Sequence, residues 1–195
     1  MTRRRWMLAS FTLAVLLFAT NVTVLNALGP ALADGLAVPP TSEFGITYSY
    51  LLAFVAVVLP LKARKSLLIS GLAAFFLASL VCAFATDVGV LIGGRVLQGL
   101  AAAVVIRAGI MFMTGAFPGT RVWTAAVAPL VAAMVGLMTG SVLGLVIADH
   151  FRFDFVFLLD ALLAVVVAVA VAVTFPGTKT SAGARQPDPH PLDSV

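Results

Sequence analysis

Arg95 is the residue whose chemistry contrasts most sharply with its surroundings. It lies in the apolar stretch Leu91–Ala103, about one turn before the amide of Gln98, with Gly99 directly after that amide. A charge near the centre of a bilayer costs about 2.5–3.5 kcal/mol on insertion scales, and arginine cannot lose its proton to avoid that cost. Arg95 is therefore expected either to face a protein interior or a wet cavity, or to snorkel to the headgroups near the polar break at 86–87.

Two asparagines and one aspartate are further candidates for chemistry inside apolar sequence. Asn21 and Asn26 belong to the first apolar run and share a helix face only loosely, since they are five residues apart. They either line a pore or form hydrogen bonds between helices, because lone polar groups are costly in lipid. Asp160 lies in the first turns of the last apolar run and is either a functional acid within the membrane or a residue at its outer interface. With Arg95 and Gln98, these residues form the predicted pathway or charge site.

Small residues recur along the fifth apolar run. Gly136, Gly140 and Gly144 are four residues apart and therefore lie on one helix face, where another helix can approach closely. Ser141 flanks this face. Together with Gly99, these residues are predicted to form a helix-packing motif, whatever the function of the protein.

The composition indicates an integral membrane protein. Of the 195 residues, 62% are hydrophobic and 10% are charged, whereas soluble domains have about 45–50% apolar and about 25% charged residues. The net charge of +4 does not indicate nucleic-acid binding, because most basic residues lie in short segments between or outside apolar runs. The single cysteine, Cys82, excludes an internal disulfide and any multi-cysteine metal site.

The sequence carries no pattern typical of a catalytic site. It contains no GxxxxGK[ST] phosphate loop, no HExxH and no GxSxG. Its two histidines, His150 and His190, are too far apart in sequence to suggest a site. We therefore expect no enzymatic activity, no cofactor and no bound metal.

Six apolar runs are long enough to cross a bilayer as helices, which takes about 20 mostly apolar residues. We expect an all-α, polytopic membrane protein whose six transmembrane helices form one domain over residues 1–176. Residues 177–195 have too little apolar content to fold and are predicted to form a disordered cytoplasmic tail. The six runs cover residues 6–28, 44–61, 67–85, 89–117, 122–147 and 153–175.

The basic residues predict how these helices are oriented. With six spans, nine of the twelve Lys and Arg residues lie on one side of the membrane, and the loops on the other side carry only Arg152. Because cytoplasmic loops are enriched in Lys and Arg, we expect both termini in the cytoplasm of a multi-pass protein of the plasma (inner) membrane. The first run extends to Leu28, longer than the core of a signal peptide, so we expect an uncleaved first span. The nine residues are Arg3, Arg4, Arg5, Lys62, Arg64, Lys65, Arg121, Lys179 and Arg185.

Three stretches, in this order along the chain, resemble motifs of the major facilitator superfamily of transporters. NVTVLNALGPALADGL is similar to the first-helix motif of its drug:proton antiporter branch with fourteen spans. LIGGRVLQGLAAA resembles the fourth-helix motif RxxQGxxAA, with Arg95, Gln98 and Gly99 at the signature positions. GLMTGSVLGLVIADHFRFDFVFLLD resembles the fifth-helix antiporter motif GxxxGPxxGG. The resemblance covers residues 8–176 and implies the N-terminal six-helix half of such a transporter.

The chain departs from the family pattern at three places. Asn21 stands where members usually carry an acid in the first helix, so a protonatable group is missing there. Ser141 and Leu145 replace the proline and the last glycine of the antiporter motif. The loop after the second run, LPLKARKSLL, lacks the glycine and aspartate of GxLADRxGRR, which in the family forms a latch between the inward and outward states.

The resemblance implies efflux of a small lipophilic compound by proton antiport. In that role Arg95 would tune a nearby proton site, Gln98 would hold Arg95 or the substrate, and the glycine face would seal a central helix contact. Because substrate sites in this fold lie between two six-helix halves, the expected partner in the lipid bilayer is a second copy or a separate C-terminal half. The alternative is a non-transporting, degenerate half that binds or regulates another membrane transporter. Neither hypothesis involves nucleic acid.

Overall fold

Six helices make up the secondary structure that the computed structural model describes, which covers residues 2–28, 40–56 and 64–175. Each predicted apolar run overlaps one of these helices. The predicted tail at 177–195 lies outside the described residues. In chain order the helices are α1 (Thr2–Ala27), α2 (Pro40–Ala56), α3 (Lys65–Ala83), α4 (Val88–Ala116), α5 (Arg121–His150) and α6 (Asp154–Thr174).

Five of these helices, all except α2, are long and apolar enough to cross a membrane. The shorter α2 begins at Pro40, ahead of the predicted start of the second run at residue 44, and has an apolar part from Gly45 to Ala56. The predicted end of that run, Leu61, lies outside the described residues. The described residues thus form an all-helical bundle with helices suited to an integral membrane protein, and the count of six crossings stays a prediction.

The glycine face of α5 packs directly on the backbone of α1. A methyl group added at Gly136, Gly140 or Gly144 would lie less than 3 Å from a backbone carbonyl oxygen of α1. Glycine therefore allows the two backbones to approach more closely than any other residue would. The hydroxyl of Thr23 in α1 also donates a hydrogen bond to the carbonyl oxygen of Leu137 in α5, at 2.8 Å. Both features fix the position of α1 beside α5.

The central helix α4 lies between α2 and α3. Its start is capped by Asp87, whose carboxylate accepts a hydrogen bond of 3.0 Å from the backbone N–H three residues later. Two glycines are its contact points. A methyl group on Gly94 would collide with Cys82 of α3, and one on Gly99 would collide with the carbonyl oxygen of Tyr50 in α2. These contacts set how α4 presents its polar side chains to the rest of the bundle.

The last helix, α6, packs against both α3 and α1. Its buried side runs from Val156 to Val171 and includes Asp160. Since α1 also touches α4, side chains from α1, α3, α4 and α6 meet in one interior region. The buried polar residues Asn21, Arg95 and Asp160 lie in this region.

Candidate functional site

Arg95 lies in the interior of the helix bundle and is among its largest fully buried side chains, with 0% of its surface exposed. Its Nη1 donates hydrogen bonds to Oδ1 of Asn21 and, at 2.9 Å, to Oε1 of Gln98. Its Nη2 donates to the backbone carbonyl of Asn21 at 3.2 Å. The ring of Tyr50 lies 4.6 Å from the guanidinium carbon, a cation–π contact. Arg95 is thus held by interior groups and does not snorkel to the surface of the bundle.

Asp160 joins the same network through Asn21. The side-chain Nδ2 of Asn21 donates a hydrogen bond to Oδ2 of Asp160, which is 5% exposed. A guanidinium only donates hydrogen bonds, and a carboxylate only accepts them. The side-chain amide of Asn21 can therefore bind both partners only with its oxygen toward Arg95 and its nitrogen toward Asp160. No carboxylate of the described residues forms a direct ion pair with Arg95. Asn21 therefore separates a buried cation from a buried acid and links them at the same time.

Gln98 extends the network from Arg95 to α3. Its Oε1 accepts from Arg95, and its Nε2 donates to the hydroxyl of Ser79 at 2.8 Å. That hydroxyl in turn donates to the backbone carbonyl of Phe75 at 2.8 Å. The thiol of Cys82 lies 3.8 Å from the same Oε1 of Gln98. The amide of Gln98 thereby fixes the guanidinium of Arg95 from the α3 side.

The structure brings four of the predicted pathway residues together and leaves one apart. Asn21, Arg95, Gln98 and Asp160 form one continuous chain of hydrogen bonds, whereas Asn26 is exposed and takes no part in it. A helix turns about 100° per residue, so a side chain five positions after Asn21 points well away from it.

Among the predicted packing residues, Gly99 contacts α2 and the three glycines of α5 contact α1. Ser141 is exposed, on a side of α5 that turns away from this contact. It therefore does not belong to the glycine face.

Ser79 and Tyr50 belong to the site but were not singled out from the sequence. Both are polar residues inside otherwise apolar runs, which is the available signal. Ser79 also precedes Cys82 by three residues and therefore shares its helix face. Their partners are on other helices, so the sequence alone does not indicate which polar residue each would meet.

Cavities on two sides of α1 are lined by residues of the polar network, Tyr50 in one and Asp160 in the other. The first has a volume of about 420 Å³ and lies between α1, α2, α4 and α5. Its walls are almost entirely apolar, and its aromatic residues are Phe11, Phe18, Tyr50 and Phe54. The second, of about 310 Å³, lies between α1, α5 and α6. Asp160 is the ionisable residue in its wall, and Thr20 and Thr139 are its other polar residues.

The arrangement combines a cation with an ionisable acid in the interior of the bundle. The residues that the structure describes contain no cluster of His, Cys, Asp and Glu side chains that could hold a metal ion. What they contain is a permanent cation, Arg95, joined by one amide to an acid, Asp160, that can gain or lose a proton. Polar groups of this kind inside membrane spans mark substrate, ion or proton pathways.

The chain is similar in sequence to known proteins. A sequence model described as the Major Facilitator Superfamily matches residues 8–193 of the chain. The methylenomycin A resistance protein of Streptomyces coelicolor (strain ATCC BAA-471 / A3(2) / M145) is 31% identical over 121 residues, which is 55% of this chain. The match covers 26% of that relative, so this chain spans about a quarter of the curated protein that it resembles.

Proposed function

The chain belongs to the Major Facilitator Superfamily, a family of membrane transporters, and on that premise we propose that it exports a small lipophilic compound in exchange for protons. The observation that carries the proposal is the buried network of Arg95, Asn21 and Asp160. A purely structural bundle has no need of a cation and an acid in its interior, since apolar packing is often at least as stable as a buried ion pair. A proton pathway requires such groups.

The energetic argument supports antiport. A proton that enters the cell moves one charge through the membrane potential, which is worth about 2.3 kcal/mol per 100 mV. That energy drives export only if proton binding changes the interactions between helices. Asp160 meets this condition, because its hydrogen bond to Asn21 connects it to the residue that also holds Arg95 of α4.

The apolar cavity between α1, α2, α4 and α5 supports a lipophilic substrate. Its volume of about 420 Å³ falls within the range of about 300–1,000 Å³ that small-molecule sites occupy. Its wall has aromatic rings from α1 and α2, including Phe18 and Phe54, and almost no polar surface. A hydrophobic compound would bury its surface there without leaving polar groups unpaired. Resistance to methylenomycin A, named for the relative, is consistent with such a substrate class.

A complete substrate site requires a second half in this proposal. Sites in transporters of this fold lie where two six-helix repeats face each other, and this chain supplies one such repeat. In this proposal that repeat pairs with a second one, from another copy of the chain or from a C-terminal half, as in the fourteen-span drug:proton antiporter branch whose motifs the sequence resembles. The basic residues support a place in the plasma membrane with both termini in the cytoplasm.

Flux measurements in proteoliposomes test the proposal. The full chain is reconstituted, an inward or outward pH gradient is imposed, and movement of ethidium and of methylenomycin A is followed. We expect flux that depends on the pH gradient in the wild type and is lost in Arg95→Ala. The matched control is Arg152→Ala, because that side chain is 82% exposed and lies between α5 and α6. Equal flux in wild type and Arg95→Ala, or gradient-independent flux, would refute proton antiport.

The second candidate function is a non-transporting half that binds or regulates another transporter. The loop sequence LPLKARKSLL favours it, because the glycine and aspartate of the family latch are missing there. This candidate predicts that the chain co-purifies from its native membrane with a full-length transporter and changes the flux of that partner. It also predicts that Arg95→Ala leaves flux by the partner unchanged as long as the chain stays folded.

A further inference from the structure

Asp160 differs from the other aspartates in the described parts of the chain. Asp87 and Asp149 are exposed and Asp154 is half-buried, whereas Asp160 is 5% exposed in the interior of the bundle. Its Oδ2 accepts the hydrogen bond from Asn21, and among the residues that the structure describes no base forms an ion pair with it. An ionised acid in that position is compensated only through Asn21 and the cation behind it.

We propose that Asp160 is the proton-binding residue of this chain, and that the side-chain amide of Asn21 transmits its charge state to Arg95. The proposal rests on the proposed function and assigns its proton site to α6. In it Asn21 is a positioning residue, since it carries no proton itself and acts through its two neighbours. The network then couples three helices: α6 carries the acid, α1 the amide and α4 the cation.

The proton step involves only the carboxyl group. A hydronium ion in the cavity gives its proton to an oxygen of the Asp160 carboxylate, an O–H bond forms, and a water molecule is left. With the carboxylate ionised, the Asn21 amide lies between a negative and a positive partner. Each partner polarises the amide and thereby strengthens the hydrogen bond between the amide and the other partner. Once Asp160 is neutral, that polarisation is lost and Arg95 has no opposite charge in its network. The hydrogen bonds from Arg95 to α1 then weaken, which favours a different arrangement of α1 against α4.

The two cavities give protons and substrate separate access. Asp160 lines the cavity of about 310 Å³ between α1, α5 and α6. That space is large enough for several water molecules, each of which fills about 30 Å³ in the liquid. Water in a cavity also needs polar partners; the wall is otherwise apolar and offers them at Thr20, Thr139 and Asp160, so water is expected beside the acid. Arg95 is fully buried on the other side of Asn21, so the route that reaches the acid does not reach the cation.

The groups that act on Asp160 are the cation Arg95 of α4 and the amide of Asn21 in α1. Tyr50 of α2 and Cys82 of α3 are further titratable side chains buried in the same interior. The wall that α5 contributes to the cavity has no titratable side chain. Of these groups only Arg95 carries a charge at neutral pH. Protonation of Asp160 therefore changes mainly the electrostatic interaction between Asp160 and Arg95.

Infrared difference spectroscopy tests the assignment without a transport substrate. The full chain in lipid nanodiscs is stepped from alkaline to acidic buffer, and the carbonyl band of protonated carboxyl groups is followed. We expect a band from a buried carboxyl that disappears in Asp160→Asn and persists in Asp160→Glu and in the exposed control Asp149→Asn. Persistence of the band in Asp160→Asn, or its absence in the wild type, would overturn the proposal.

The role of Asn21 has its own readout in the same experiment. Asn21→Leu should keep the band but move the midpoint of its pH titration upward, because the ionised carboxylate loses the hydrogen bond that Asn21 donates. An unchanged midpoint in a folded Asn21→Leu protein would refute the relay. If the band titrates as expected while the proteoliposomes show no flux, proton binding at Asp160 stands and the proposed transport fails.

Discussion

Asn21 meets Arg95 twice: its side-chain oxygen accepts from Nη1 and its backbone carbonyl accepts from Nη2. The second contact is 3.2 Å long and uses a carbonyl of α1 itself. A side chain of α4 is therefore bound both to a movable amide and to the main chain of α1. Replacing the amide would weaken the link between the two helices without removing it, whereas replacing Arg95 would remove both contacts.

Removal of Arg95 alone should destabilise the protein more than removal of Arg95 and Asp160 together. Arg95→Met leaves the buried acid without its compensating cation, which typically costs about 3–5 kcal/mol. The double variant Arg95→Met with Asp160→Leu removes both charges and should recover most of that loss. The thermal midpoint is read with a thiol-reactive fluorophore, because Cys82 is the only cysteine and is fully buried.

The control for this comparison is Arg152→Met, which removes an exposed cation and should leave the thermal midpoint unchanged. Strict additivity of the two single effects would show that Arg95 and Asp160 do not interact. Additivity would contradict the network, because the effects of two residues linked by one chain of hydrogen bonds on the thermal midpoint are expected to depend on each other.

The contact between α1 and α5 should tolerate no side chain at Gly140. Gly140→Ala would place a methyl group less than 3 Å from the carbonyl oxygen of Thr20 and from the hydroxyl of Thr23. Overpacking of this kind costs about 1–3 kcal/mol, so we expect a lower thermal midpoint. Gly93→Ala is the matched control, because a methyl group there meets nothing within 4 Å. It should be neutral or slightly stabilising, since glycine is unfavourable inside a helix. Equal effects at both positions would show that the α1–α5 contact is looser than described.

The position of the glycine face could be predicted from the sequence, because residues four apart share one face of a single helix. For Arg95 the sequence left two positions open, the interior or the headgroup layer, because the charge alone does not indicate how close the residue lies to the membrane surface. The link between Asn21 and Asp160 could not be predicted, because it joins residues 139 positions apart on α1 and α6. Periodicity indicates which side of a helix is polar, but not which helix lies opposite. For the same reason the sequence does not indicate the role of Ser79, since its partner Gln98 is on another helix.

The predicted orientation can be tested with a membrane-impermeant maleimide on intact cells. The wild type should stay unlabelled, because Cys82 is buried among α3 and α4. Arg152→Cys, between α5 and α6, should be labelled from outside, since that side chain is 82% exposed. Lys179→Cys, in the predicted cytoplasmic tail, should react only after the cells are permeabilised. The reverse pattern would place the termini outside and contradict the distribution of basic residues.

Asp160→Asn should separate substrate movement from proton coupling. Proteoliposomes with a pH gradient should no longer accumulate ethidium, because asparagine cannot take up the proton whose entry supplies the energy. Exchange of labelled for unlabelled ethidium at equal pH should persist, since it needs no net change in protonation. Asp149→Asn, an exposed acid on α5, should retain both activities. Gradient-driven accumulation in Asp160→Asn would place the proton site elsewhere. Loss of exchange as well as accumulation would indicate that Asp160 holds the helices in a transport-competent arrangement, whatever its charge.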